Sequence, residues 1–81
     1  MKIGKVIGSV WATRKANCLS GHTFLVVSTA SEELVAADQV GAGPGDKVLL
    51  VTGHTAARYC MDAPIDAVVV AIVDKNEGSG G

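Results

Sequence analysis

Two stretches of this chain leave room for little except β-structure. Val35-Ala-Ala-Asp-Gln-Val-Gly-Ala-Gly-Pro-Gly-Asp-Lys-Val-Leu-Leu-Val51 places the densest cluster of chain breakers between two apolar runs. Pro64-Ile-Asp-Ala-Val-Val-Val-Ala-Ile-Val-Asp74 is a further run of the same kind. Valine and isoleucine are stiff at χ1 and fit a pleated surface better than a helix. Within the breaker cluster, Pro44 presets φ for a turn and Gly45 can take the positive φ that a type II turn needs. Val48-Leu-Leu-Val51 is apolar on both alternating faces, which predicts a strand buried on both sides.

Pattern and punctuation place the remaining elements. Residues 2–13 read as a long first strand, with Val6, Gly8, Val10 and Ala12 on one face. Ile3, Lys5, Ile7, Ser9 and Trp11 take the other face. Gly4 and Gly8 fall inside this run, where glycine marks a bulge or a bend as a sheet curls. Residues 14–22 read as a loop, 23–29 as the second strand and 30–33 as a short turn. The third, fourth and fifth strands are expected at 34–38, 46–52 and 66–74. Thr55-Ala-Ala-Arg-Tyr59 predicts one or two helical turns with Thr55 as N-cap, ended by Ala63 and Pro64. The expected fold is all-β: a small five-stranded barrel, OB-fold-like, with one short helix before the last strand. Closure removes the strand edges that a Val-rich chain would otherwise expose. Residues 1–74 form the barrel domain, and 75–81, polar and ending Gly-Ser-Gly-Gly, form a flexible tail.

Composition narrows what such a barrel does. The chain has 81 residues and 48% hydrophobic residues. A domain of this size buries only about 60–65% of its unfolded surface. Apolar content this high on so small a domain therefore points to an oligomer interface, or else to a strand core rich in Val and Ala. No run of about 18 apolar residues predicts a transmembrane helix. Met1-Lys-Ile-Gly-Lys5 lacks an apolar h-region, so secretion is not expected. With a net charge of −1, no broad attraction for nucleic acid is expected. Cys18 and Cys60 make no disulfide framework, which fits a reducing cytosol.

The chemistry-bearing residues do not converge. Gly41-Ala-Gly-Pro-Gly45 looks superficially like a phosphate loop, but Asp46-Lys47 opens a strand where a P-loop needs Gly-Lys-Ser/Thr opening a helix. His22, His54, Cys18 and Cys60 lack the close spacing of a structural zinc motif. Asp38, Asp62, Asp66 and Asp74 stand at strand ends, which suits turn capping or ion pairs across subunits better than acid–base catalysis. Arg58 follows a run of small residues. Its planar fork suits bidentate pairing with a carboxylate, at a subunit contact or within a loop; the alternative is a solvated helix face. No catalytic residue, metal ligand or cofactor-binding residue is assigned, and no enzymatic activity is expected.

Several separated segments, in order, resemble the vertex proteins of bacterial microcompartment shells, the EutN/CcmL family. They are Met1 to Lys15, especially Gly4-Lys-Val-Ile-Gly8 and Thr13-Arg-Lys15; Asp38-Gln-Val-Gly-Ala-Gly-Pro-Gly-Asp46; Gly53 to Arg58; Ala63-Pro-Ile-Asp-Ala67; and Ile72-Val-Asp74. The resemblance covers residues 1 to about 74. It implies a five-stranded barrel that assembles as a cyclic homopentamer and caps the vertices of a polyhedral shell in the bacterial cytoplasm. It also implies hexameric shell proteins as partners, with no cofactor, nucleic acid or membrane. A ring of this kind needs two different complementary surfaces on each subunit. Arg14, Lys15, Asp38, Arg58, Asp66 and Asp74 are the candidates for subunit contacts or loop ordering. The turn Gly41, Ala42, Gly43, Pro44 and Gly45 is a candidate lining for an axial opening. The chain departs from the family pattern in the short connection at 28–33, in Asp46 where Glu is common, and in 54–62 with its Tyr59-Cys-Met61. The alternative reading is an OB-fold module binding nucleic acid or a small ligand. That reading wants a basic groove and aromatic platforms, whereas this chain has one Trp, one Tyr and one Phe.

Overall fold

The structure, a computed structural model, describes residues 1–11, 17–19, 21–53, 56 and 65–74. Five strands are present: β1 (Lys2–Val10), β2 (Thr23–Thr29), β3 (Glu33–Asp38), β4 (Lys47–Thr52) and β5 (Ala67–Ile72). They close into a barrel in the order β1-β2-β3-β5-β4, with β4 returning to β1. All contacts are antiparallel except the short parallel seam between β3 and β5, where Ala37 faces Val68 and Asp38 faces Val69.

Alternation builds the inside. Val6, Leu25, Val27, Ala36, Val48, Leu50, Ala67 and Val69 are buried together as the barrel core. Gly4 shares this inward face, since it pairs with Val48 across the β1–β4 seam. A Cβ at Gly4 would lie 2.5 Å from a methyl carbon of Val27 and 2.9 Å from the Ser28 carbonyl oxygen. Only glycine lets β1 approach β2 so closely.

One β-bulge resets the face pattern of β1. Val6 pairs with Val27 and Gly8 with Val26, leaving Ile7 as the extra residue. Beyond it the alternation inverts. Ser9 now lies opposite the buried Leu25, and Val10 opposite Phe24 on the outside. The glycine signal for a bulge is therefore met at Gly8. The expectation that Val6, Gly8 and Val10 share a face fails past Val6, because an inserted residue changes parity. β1 also stops at Val10 rather than at residue 13.

The turn between β3 and β4 has the expected chemistry. The Asp46 N–H donates to the Gly43 carbonyl (3.0 Å), Gly45 has φ +93° and Pro44 precedes it. This is a type II turn. The Asp46 carboxylate accepts the Gly43 N–H at 2.9 Å. Two bonds hold the turn against β1: Gly45 N–H to the Val6 carbonyl (2.8 Å) and Val6 N–H to the Asp46 carbonyl (2.9 Å). Asp46 thus belongs to the turn, and β4 opens at Lys47.

The expected short helix before the last strand is corrected. Among the described residues no helical element separates β4 from β5, and the helical element present is a 3-10 turn at Asn17–Leu19. Most of 54–64, including Thr55, lies outside the described residues. Gly53 takes φ +69°, a left-handed conformation at the very end of β4. Its N–H donates to the Asp66 carbonyl at 2.8 Å, so the ends of the connection are tied together. The proposed tail, 75–81, also lies outside the described residues.

Candidate functional site

With its interior filled by side chains, the barrel must interact with other molecules through its outward face. That face has two sectors. In the first, Phe24, Ala37, Val68 and Val51 form one row across β2, β3, β5 and β4. Ala37, Val51 and Val68 are buried, although they point away from the barrel core. They pack with Ala56 and Ile65 of the β4–β5 connection and with Leu19 of the 3-10 turn. The chain has folded back over its own barrel here.

The second sector is open. On β1, Ile3, Lys5 and Ile7 face outward, with Ile3 54% and Ile7 49% exposed. Ile3 lies opposite Leu49, and Leu49 opposite Ala71, so an apolar row crosses β1, β4 and β5. On the other side of β1, Gly8 lies opposite Val26 and Val26 opposite Val35, which is half exposed. A charged row runs beside both. Lys47 faces Lys5, Lys5 faces Ser28, and Ser28 faces Glu33. This row is cationic at its β4–β1 end and anionic at its β3 end. Lys5, Lys47 and Glu33 make no ion pair among the described residues, where the one salt bridge joins Lys2 to Glu32 at 2.9 Å. Just past β1, Trp11 is almost fully exposed.

The residues nominated from the sequence fall unevenly on this surface. Asp74 lines a groove with Lys5, Lys47 and Asp46, beside the cationic end of the charged row. Asp66 lines a second groove with Lys2, Glu32, Leu34 and Val35. Asp38 is used locally: its carboxylate accepts the Val40 N–H at 3.1 Å, an Asx turn ending β3. Arg14, Lys15 and Arg58 lie outside the described residues, as do Asp62, His54 and Cys60. The Gly41 to Gly45 segment is a turn locked to β1, with Ala42 packed against the barrel core. Sequence reading missed Lys47 and Glu33 as partners in one row. Each is an ordinary surface charge until register places them together.

Among the described residues no group of three or more His, Cys, Asp or Glu side chains is arranged to hold a metal ion. Of the aromatic residues, Phe24 packs into the outer cluster and Tyr59 lies outside the described residues. The arrangement suits contact between surfaces.

Comparison with known proteins gives one answer. A family model described as "Ethanolamine utilisation protein EutN/carboxysome" matches residues 1–74. The chain is 45% identical to the carboxysome shell vertex protein CcmL of Thermosynechococcus vestitus, over 91% of this chain and 84% of that protein. It is 42% identical to the microcompartment shell vertex protein GrpN of Rhodospirillum rubrum, over 95% of this chain and 97% of the relative. The solved structure of that pentameric shell protein superposes with a TM-score of 0.80, covering 95% of this chain and 99% of the other.

Proposed function

This chain belongs to the EutN/CcmL family of microcompartment vertex proteins, and on that premise we propose that it is a structural vertex subunit. Five copies form a cyclic ring that caps the corners of a polyhedral shell in the bacterial cytoplasm. Its role is geometric and not enzymatic: flat tiling by six-fold units closes into a polyhedron only where five-fold units introduce curvature. The observation that carries this reading is the family match across the entire barrel, residues 1–74.

The fold supports it physically. The five strands close into one barrel, which leaves little strand edge for pairing with another chain. Copies therefore meet mainly through outward side chains. A ring of identical subunits needs two different patches on each, and the apolar rows on either side of β1 are two such patches. Hexameric shell tiles are the proposed neighbours of the ring, and the basic pair Arg14 and Lys15 are the proposed contacts to them. Weak contacts suffice there, because many act at once. Nucleic acid is not a proposed partner.

Native mass across a range of protein concentrations tests the reading. A discrete five-subunit species is expected. A stable monomer at all concentrations would overturn it.

A further inference from the structure

We infer that the subunit contact pairs the β4–β1 face of one copy with the β2–β3 face of the next, with charge setting the order. This rests on the ring-forming reading above and names the surfaces it leaves open.

Each face carries two adjacent cross-strand rows, one polar and one apolar. On the β4–β1 face the rows are Lys47 with Lys5, and Leu49 with Ile3. On the β2–β3 face they are Ser28 with Glu33, and Val26 with Val35. Placed against each other, the two lysines meet the carboxylate and the two apolar rows cover one another. Neither face complements itself: two copies of the first would oppose four lysines, and two copies of the second would oppose their glutamates. The contact is therefore head-to-tail, the kind that closes into a ring when successive rotations complete a full turn.

The isolated chain bears the marks of an unfilled contact on the first face. Lys5 and Lys47 are like charges directly opposite on neighbouring strands, an unfavourable pairing, and neither makes an ion pair among the described residues although Asp46 and Asp74 line the same groove. Both are exposed, as is Ile3 beside them. A second copy supplies an acid and an apolar row in the same spacing. Electrostatic matching of this kind fixes register and excludes wrong orientations more than it adds affinity.

The test uses the full chain and two variants, Ile3→Asp and Val35→Asp, each of which spoils one face. Both sites are half exposed, so melting by circular dichroism should stay close to that of the unassembled wild type. Each variant alone should run as a monomer. Mixed together, they should give a two-subunit species and no ring, because one intact pair of faces remains. A variant that keeps the wild-type ring mass, or a mixture that stays monomeric, overturns the assignment of faces. A wild-type chain that is itself monomeric would instead sink the vertex reading. Charge reversal gives an independent arm should either Asp variant fold poorly. Glu33→Lys and Lys47→Glu should each raise the concentration for half-assembly about tenfold or more, and the two together in one chain should recover it. No recovery means that these charges do not meet.

Discussion

Outward-facing side chains on this barrel meet two different fates. Phe24, Ala37, Val68 and Val51 lie beneath Leu19, Ala56 and Ile65. Ile3, Ile7 and Val35, on strands of the same barrel, remain about half exposed. The strand chemistry does not differ: both sets alternate with core residues and both are aliphatic or aromatic. What differs is whether the chain returns over them. The connection from β4 to β5 is long enough to cross one sector, and among the described residues the turns at 30–32 and 39–46 do not cross the other. The comparison teaches that a barrel's outer apolar rows require a cover. Where the chain does not provide it, a second copy is the economical source.

The strongest way to break this contrast is to put the same charge into each sector. Val68→Asp places a carboxylate at a fully buried outer position. No cationic side chain packs against Val68 among the described residues, so the cost should be about 3–5 kcal/mol, enough to abolish the fold of so small a domain. Val35→Asp should change subunit stability by no more than about 0.5 kcal/mol while removing the ring. Circular dichroism and native mass, read side by side, separate the outcomes. If both variants lose the fold, the open sector is not open.

Two glycines on β1 sharpen the same contrast at smaller scale. Gly4 points inward, and a Cβ there would meet Val27 and the Ser28 backbone at 2.5 and 2.9 Å. Gly4→Ala should destabilise by about 1–3 kcal/mol, because the contact includes backbone that cannot rotate away. Gly8 lies past the bulge in the open row with Val26, and a Cβ there meets nothing within 4 Å. Gly8→Ala should be neutral, or stabilising by up to about 1 kcal/mol through the unfolded chain. Urea midpoints measured on both proteins check the sign at each site.

These glycines also mark how far the sequence could be read. The five strands, the type II turn at Pro44 and Gly45 and the bulge near Gly8 follow from local chemistry, which is written in adjacent residues. Valine runs signal strands, and glycine and proline mark their ends. Closure into a barrel follows from the need to hide edges. The parity change after Ile7 was not legible, because it depends on which residue of β2 each β1 residue meets. The same holds for the row joining Lys47, Lys5, Ser28 and Glu33, whose members span four strands. The role of Ile65 as a cover was hidden because its partner row comes from β2, β3, β4 and β5 at once. The helix expected at 55–59 was a local reading of small residues. It took no account of the end of β4, where the left-handed Gly53 is bonded to the Asp66 carbonyl, adjacent in space and thirteen residues away in sequence.

The smallest expected effect concerns two lysines of β1 with opposite circumstances. Lys2 belongs to the inward register, opposite Leu50, and reaches across the barrel mouth to Glu32 at 2.9 Å. Lys5 points outward beside Lys47 and makes no ion pair among the described residues, although Asp46 and Asp74 line the same groove. The Lys2–Glu32 pair is solvent-exposed, at 37% and 51%, so screening and side-chain entropy leave it little to contribute. A double-mutant cycle with Lys2→Met and Glu32→Gln should give a coupling of about 0.5 kcal/mol or less, fading with added salt. Ring assembly should be more sensitive to salt than this intrachain pair, because each subunit contact brings both outward lysines onto a carboxylate. If added salt weakens the Lys2–Glu32 coupling but leaves the ring untouched, the outward lysines are solvated charges and the apolar rows alone hold the subunits. If the ring responds more steeply than the pair, Lys5 and Lys47 find in a neighbour what Lys2 finds in Glu32.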